Sequence, residues 1–292
     1  MKTPVHIPVL LSAVMELLRP SGKGVYLDAT IGGGGHTREI LRRIDGDGVV
    51  IGMDRDSDAL ARVEKELKDE RLVLLKASFS EMTGGVRGLG YEVLDGILMD
   101  LGISMMQLRD DQRGFSFSSG AYLDMRMDRS SPVTAERIVN DYNPMDIERI
   151  LRDYGEERFA RKIARAIVEE RKKARIRRCD QLAGIVERVY RRRGRIHPAT
   201  KTFQALRIAV NEELKELETG LENAVALLRE GARLCVITYH SLEDRIVKRY
   251  FISLAKEGRV RKLNKKPLRP SADELRENPS SRSAKLRGVE RL

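Results

Sequence analysis

The sequence has no tryptophan, only two cysteines in 292 residues, and 5% aromatic residues. Cys179 and Cys235 lie far apart, with no second cysteine or histidine at metal-ligand spacing. A disulfide framework and a structural zinc site are both excluded, and the chain reads as a cytoplasmic protein. No run of 18 or more apolar residues is present, so no membrane span is expected. The N-terminal stretch "MKTPVHIPVLLSAVMELL" has no small-residue cleavage site. Its Leu10, Val14, Leu17 and Leu18 recur at helical spacing, which predicts a packed helix and not a secretion signal. No internal repeat is visible. The length allows one large domain or two modest ones.

Charge is abundant and unevenly spread. The net charge is +11. Between Arg158 and Lys201 there are 16 Lys or Arg against 4 Asp or Glu, and from Lys256 onward 12 against 5. The rest of the chain is therefore acidic. Two basic regions on an acidic body point to a polyanionic partner. Heat-adapted ion-pair networks explain this less well, since they need both signs together. With so few aromatic rings to stack on bases, a nucleic-acid partner would be held mainly through its phosphates. The runs "RKKARIRR" (171–178) and "YRRRGRIHPATK" (190–201), with Arg191, Arg192 and Arg193, are the expected contacts.

Apolar runs at 24–29, 48–54, 71–77 and 94–100 alternate with helical patterns, the clearest from His36 to Arg43 and from Ser57 to Lys68. A fifth run spans 232–240. This alternation predicts an α/β fold with a doubly wound, mostly parallel sheet. The gap between the fourth and fifth runs is too long for a loop and is rich in helical pattern, as in "NPMDIERILRDYGEERFARKIARAIVEERKKAR". An inserted all-helical subdomain is expected there, from near Gln107 to near Asn211. The helix "TFQALRIAVNEELKELETGLENAVALL" would lead back to the sheet. After the fifth strand a helix and a short edge strand, "RVRKL", are expected. Beyond them lies an irregular basic tail, with residues 264–284 the best candidate for disorder.

Four consecutive glycines, Gly32 to Gly35, follow the first strand and open a helix. Bare backbone N–H groups and the helix dipole can there meet an anionic group. The dinucleotide fingerprint G-x-G-x-x-G fails, because Thr37 or Arg38 stands where its last glycine belongs. Asp54 ends the second strand, where a carboxylate can accept hydrogen bonds from both ribose hydroxyls. Asp56 or Ser57 is the better helix cap, which leaves Asp54 for a ligand. Asp28 precedes the glycines, and Asp100 ends the fourth strand. This arrangement resembles the class I S-adenosylmethionine-dependent methyltransferases. Asp100-Leu101-Gly102-Ile103 keeps the acid of the amino-methyltransferase motif but lacks its prolines and aromatic residue. A clamp on the target base would come from elsewhere, with Phe115, Phe117 and Tyr239 as candidates.

Seven segments narrow the resemblance: "HIPVLL" (6–11), "DATIGGGGHT" (28–37), "MDLGIS" (99–104), "RGFSFSSGAYLDMRMD" (113–128), "IHPATKTFQALRIAVNEEL" (196–214), "ITYHSLEDRIVKRYF" (237–251) and "NPSSRSAKLR" (278–287). In this order they resemble the bacterial RsmH family, formerly MraW, of small-subunit ribosomal RNA cytosine-N4 methyltransferases. The resemblance implies an S-adenosylmethionine-binding domain formed by 1–106 and 212–292, and an RNA-recognition insert at 107–211. It implies methylation of the exocyclic N4 of a cytosine in the decoding region of 16S ribosomal RNA, on an assembled small subunit. It places the cofactor contacts on Gly34, Gly35, His36, Asp54, Phe79, Asp100 and Gln107, and no metal.

Cytosine N4 is a weak nucleophile because its lone pair is delocalised. A carboxylate accepting its hydrogen bond would stabilise the charge that develops there, and Asp100 is the candidate. Asp100 has a second possible duty, holding the methionine end of the cofactor. Methylation at C5 would need a cysteine nucleophile, and neither cysteine ends a sheet strand. Two other functions fit parts of the sequence. A non-catalytic ribosome-assembly factor would explain the basic regions but not the acids at three strand ends. A nicotinamide-dependent oxidoreductase would explain the sheet but not the failed fingerprint. Monomer and homodimer both fit the sequence.

Overall fold

The computed structural model describes residues 8–190 and 197–292. Two compact units form, one from Met1–Gly102 with Leu214–Leu292 and the other from Ile103–Glu213. The insert thus begins before the expected Gln107 and ends after the expected Asn211.

The first unit opens with α1 (Leu11–Leu18), which buries Val14, Met15 and Leu18. The chain then alternates through β1 (Val25–Asp28), α2 (Gly35–Arg43), β2 (Val49–Asp54), α3 (Ser57–Glu66), β3 (Leu72–Lys76), α4 (Met82–Gly88) and β4 (Leu94–Asp100). Asp56 caps α3, its side chain accepting from the Asp58 backbone N–H. Asp54 is therefore not the helix cap.

The second unit contains α5 (Met105–Arg109), α6 (Ala135–Asp141), α7 (Pro144–Gly155), α8 (Ala160–Arg171), α9 (Cys179–Val189) and α10 (Thr200–Asn211). It has its own core, including Leu123, Met125, Ile147, Ile163, Ile167, Leu182, Val186 and Leu206. The helical pattern expected to run through 143–175 is broken at Glu156, in the left-handed region at φ +46°. Thr134 and Asn143 cap α6 and α7, as their short polar side chains favour. The buried Asn211 fastens a loop to the end of α10. Its Oδ1 accepts from Met127 N at 2.8 Å and its Nδ2 donates to Met125 O at 2.8 Å.

Back in the first unit follow α11 (Glu213–Leu227), β5 (Leu228–Thr238), α12 (Ser241–Lys256), β6 (Val260–Lys262), α13 (Ala272–Glu277) and β7 (Lys285–Arg291). The single expected helix leading back to the sheet is two, separated by Glu212 at φ +49°. Sheet order is β3-β2-β1-β4-β5-β7-β6. The first five strands pair in parallel, and β7 runs antiparallel between β5 and β6. This is the strand order of class I methyltransferases. The tail expected to be irregular after the fifth strand instead contains a helix, α13, and an internal sheet strand, β7.

Side chains alternate across the sheet, as strand geometry requires. Leu27, Ile51, Met53, Ile97, Met99, Leu234 and Val236 pack on one face with α4, α11 and α12 residues. Tyr26, Val50, Leu98, Cys235 and Ile237 pack on the other with α1 and α2. Both faces are covered, so polar groups can gather only at the strand ends. The order reverses between β1 and β4, and the crevice at their carboxyl ends is where such sheets bind ligands.

Candidate active site at the strand ends

The glycine run turns from β1 into α2. Gly32 and Gly34 have φ +48° and +71°, a region closed to most side chains. Gly34 N donates to Ile31 O at 2.6 Å and holds the turn. Gly35 is small for a different reason. A Cβ there would stand 2.3 Å from Cγ of Pro8, so the chain's own N-terminal segment occupies that side. Ligand approach is therefore not needed to explain Gly35.

Three carboxylates stand at neighbouring strand ends. Asp28 is buried; its Oδ2 accepts from Thr37 Oγ1 at 2.7 Å and its Oδ1 from Thr30 N at 3.3 Å. Asp54 Oδ2 accepts from Gly32 N at 3.1 Å, and Oδ1 from Asp56 N at 2.9 Å. The second strand's acid thus pins the glycine loop as well as facing the crevice. Each of its oxygens retains a lone pair, since a carboxylate offers about four acceptor sites. Asp100 Oδ1 accepts from Tyr239 Oη at 2.9 Å, while its backbone N–H donates to Thr30 Oγ1 at 2.6 Å.

Burial pushes the carboxyls of Asp28, Asp54 and Asp100 up to about 6. Asp28 also repels both of the others. Hydrogen bonds to Asp28 and Asp54, and the Tyr239 hydroxyl and His36 beside Asp100, pull only part of the way back. A nearby positive charge would stabilise the ionised form of such poorly solvated carboxyls.

His36 lies in the first turn of α2, with Nε2 3.0 Å from Val9 O and Nδ1 3.9 Å from Asp100 Oδ2. The ring thus ties the N-terminal segment toward the acid of β4. Phe79 follows β3, and its loop is seated on α11. Its carbonyl accepts from Asn223 Nδ2 at 2.8 Å, Ser80 Oγ donates to Glu216 at 3.0 Å, and a Cβ at Gly220 would come within 2.7 Å of Phe79 Cβ. Gln107 belongs to the second unit, where it completes a capping box with Ser104 on α5.

The structure brings Gly34, Asp54, Asp100 and His36 to one sheet edge, with Thr30, Thr37 and Tyr239 as their supports. The threonines were legible only as neighbours of the glycines. Tyr239, considered above as a base clamp, has its hydroxyl on Asp100 instead. Phe115 is buried in the insert's core, and Phe117 stacks on His197 at 4.3 Å. Both cysteines are fully buried, and burial pushes each thiol up to about 12. Neither offers a thiolate.

The basic run at 171–178 is largely engaged within the insert. Arg171 donates to the carbonyls of Val139 and Tyr142. Lys172 pairs with Glu169, Lys173 with Glu170, Arg175 with Glu136 and Asp141, and Arg178 with Asp180. Arg191, Arg192 and Arg193 lie outside the described residues. Among the described residues no helix is long and apolar enough to cross a membrane.

A family model described as the MraW methylase family matches residues 3–292. A protein of Persephonella marina named "Ribosomal RNA small subunit methyltransferase H" is 47% identical, over 98% of this chain and 99% of its own length. Proteins of the same name from Caldicellulosiruptor bescii and Neorickettsia sennetsu are 44% and 47% identical. The first match covers 98% of this chain and 99% of its relative; the second covers 99% and 96%.

Proposed function

The chain belongs to the MraW methylase family, and from that premise we propose that it is an S-adenosylmethionine-dependent methyltransferase acting on the exocyclic N4 of a cytosine in small-subunit ribosomal RNA. The observation that carries this reading is the set of carboxylates around a glycine turn, Asp28 buried and Asp54 and Asp100 partly buried. The name that the relatives share supports ribosomal RNA as substrate. The decoding region, an assembled subunit and a cytoplasmic setting belong to the same proposal.

The residues present fit the cofactor. Asp54 would hold the ribose hydroxyls through its remaining lone pairs, the turn at Gly34, Gly35 and His36 would take the methionine end, and Phe79 would flank adenine. The cofactor supplies an electrophilic methyl group on a positively charged sulfur. Asp100 accepts a hydrogen bond from the N4 amino group and stabilises the positive charge that grows there. Tyr239 occupies Oδ1 of Asp100, and Oδ2, which lies 3.9 Å from His36 Nδ1, would take the hydrogen bond from the amino group. Positioning contributes the remainder. A paired cytosine cannot present its amino group, so the base must be single-stranded or flipped.

Small subunits lacking the modification, incubated with enzyme and methyl-labelled donor, should yield label in N4-methylcytidine alone. Label in C5-methylcytidine, in another nucleoside, or in protein would overturn the assignment.

A further inference from the structure

The insert's cations fall into two classes. Those of 171–178 mostly face carboxylates or carbonyls already described. Arg158, just before α8, and Arg161, Lys162 and Arg165 on it are all exposed. Among the described residues none of these four has a carboxylate partner. Arg161, Lys162 and Arg165 share one face of the helix, since positions three and four apart are neighbours, and Arg158, in the turn before it, adjoins that face at the Phe159 ring. Arg158 and Lys162 both lie against the Phe159 ring, 4.6 and 5.5 Å from its centroid. That contact holds two flexible cations in place before any ligand arrives.

Nearby acids are turned elsewhere. Glu157 is buried, accepting from Tyr190 Oη at 2.6 Å and Phe159 N at 2.8 Å. Glu169, one turn after Arg165, is bonded to Lys172. Like charges at these spacings destabilise a helix until an anion approaches. The paired run is the poorer anion site, because Lys172, Lys173, Arg175 and Arg178 each keep a carboxylate beside them that repels phosphate, and Arg171 is engaged by backbone carbonyls.

We propose that the face of α8 formed by Arg158, Arg161, Lys162 and Arg165 contacts the sugar–phosphate backbone of the substrate RNA, in place of the more conspicuous run at 171–178. This inference rests on the methyltransferase reading above. Guanidinium groups suit the occupant, because they bind phosphate oxygens in pairs. The contact is independent of base sequence.

Anisotropy of an end-labelled, mixed-sequence single-stranded RNA, titrated across salt concentrations, tests it. The variant R161A/K162A/R165A should flatten the slope of log affinity against log salt by about 2, at about 0.7 per lost contact. R161K/R165K should retain the slope, and so should K172A/K173A. Alanine is the best helix former, so α8 should survive, and calorimetry should show unchanged S-adenosylmethionine binding. An unchanged slope in the triple variant overturns the proposed surface and leaves the function standing. Loss of binding to small ribosomal subunits with none to the oligonucleotide means that the face meets a protein, and overturns the RNA assignment. Wild-type enzyme that binds neither the oligonucleotide nor the subunits overturns the functional reading itself.

Discussion

The two units treat charge in opposite ways. The sheet unit buries Asp28 and half-buries Asp54 and Asp100 where water solvates them poorly, and each carboxyl is pushed up to about 6. The insert buries Arg113 against backbone carbonyls but keeps most of its basic residues, including Arg161, Lys162 and Arg165 of α8, on the surface, where a charge is stable without help. A buried charge is expensive before its ligand arrives and strong once it has, because the low local dielectric magnifies the interaction. A surface cation is cheap and weak, and many are needed. Chemistry at one atom calls for the first arrangement. Grip along a polymer calls for the second.

Asp100→Asn should break this contrast most sharply. Asparagine still accepts from Tyr239 but carries no charge. Methyl transfer should fall by about 100- to 1000-fold, measured as single-turnover labelling of small subunits. The ligand-free protein should at the same time become more stable. A carboxyl raised in the folded state contributes stability that is fully present below its unfolded value near 4 and lost as pH rises through about 6. Above that pH the variant escapes the penalty, and thermal unfolding at neutral pH should rise by about 2–5 °C. A lower melting temperature would show that the acid is not under electrostatic stress.

Asp54→Ala removes the proposed ribose acceptor and leaves the N–H groups of Gly32 and Asp56 without their partner. Affinity for S-adenosylmethionine by calorimetry should drop about 30- to 100-fold. In the wild type, the same affinity should weaken as pH falls below about 6, where the carboxyls take up protons. The demethylated product, which lacks the sulfonium charge, should weaken less. Equal pH dependence for both ligands would detach the carboxylates from the charge on sulfur.

Tyr239→Phe is a subtler intervention. The hydroxyl lowers the carboxyl of Asp100 against the pull of burial, so its removal should shift the acidic limb of the rate profile to higher pH. The rate at neutral pH should fall only several-fold. A uniform loss at every pH would mean that the tyrosine merely packs. Smallest of all, Cys235→Ala and Cys179→Ser should leave turnover within about twofold, since neither thiol ionises at working pH.

Most of the sheet was legible because β1 to β4 alternate locally with their crossover helices. Each of these strands ends in a polar residue that marks the functional edge. Strand β7 was not legible. Its sequence "KLRGVER" has a central glycine and four charged residues, which looks like a basic tail. Those charges are satisfied only by distant partners: Lys285 and Arg287 bind Asp244 on α12, and Glu290 binds Arg233 and Arg261 on the flanking strands. The acids of the site could be read from their positions at strand ends. That Asp54 also pins Gly32, and that Tyr239 serves Asp100, depends on contacts far apart in sequence. Gly35 was read as room for a ligand, yet its nearest neighbour is Pro8. Helix breaks at Glu156 and Glu212 were hidden because glutamate carries no local signal for the left-handed conformation it adopts at both.

The place of β7 has a bearing on how the protein comes into being. Synthesis proceeds from the amino end, so β5 emerges with one flank bare, and β6 follows without a neighbour to hold it. Only when Lys285–Arg291 has been made can a strand slide between them and seal the ladder. Until then the nascent molecule carries an open hydrogen-bonding edge beside an apolar core, the kind of surface that recruits other chains. A premature stop before residue 285 should therefore yield insoluble material and not a smaller working enzyme.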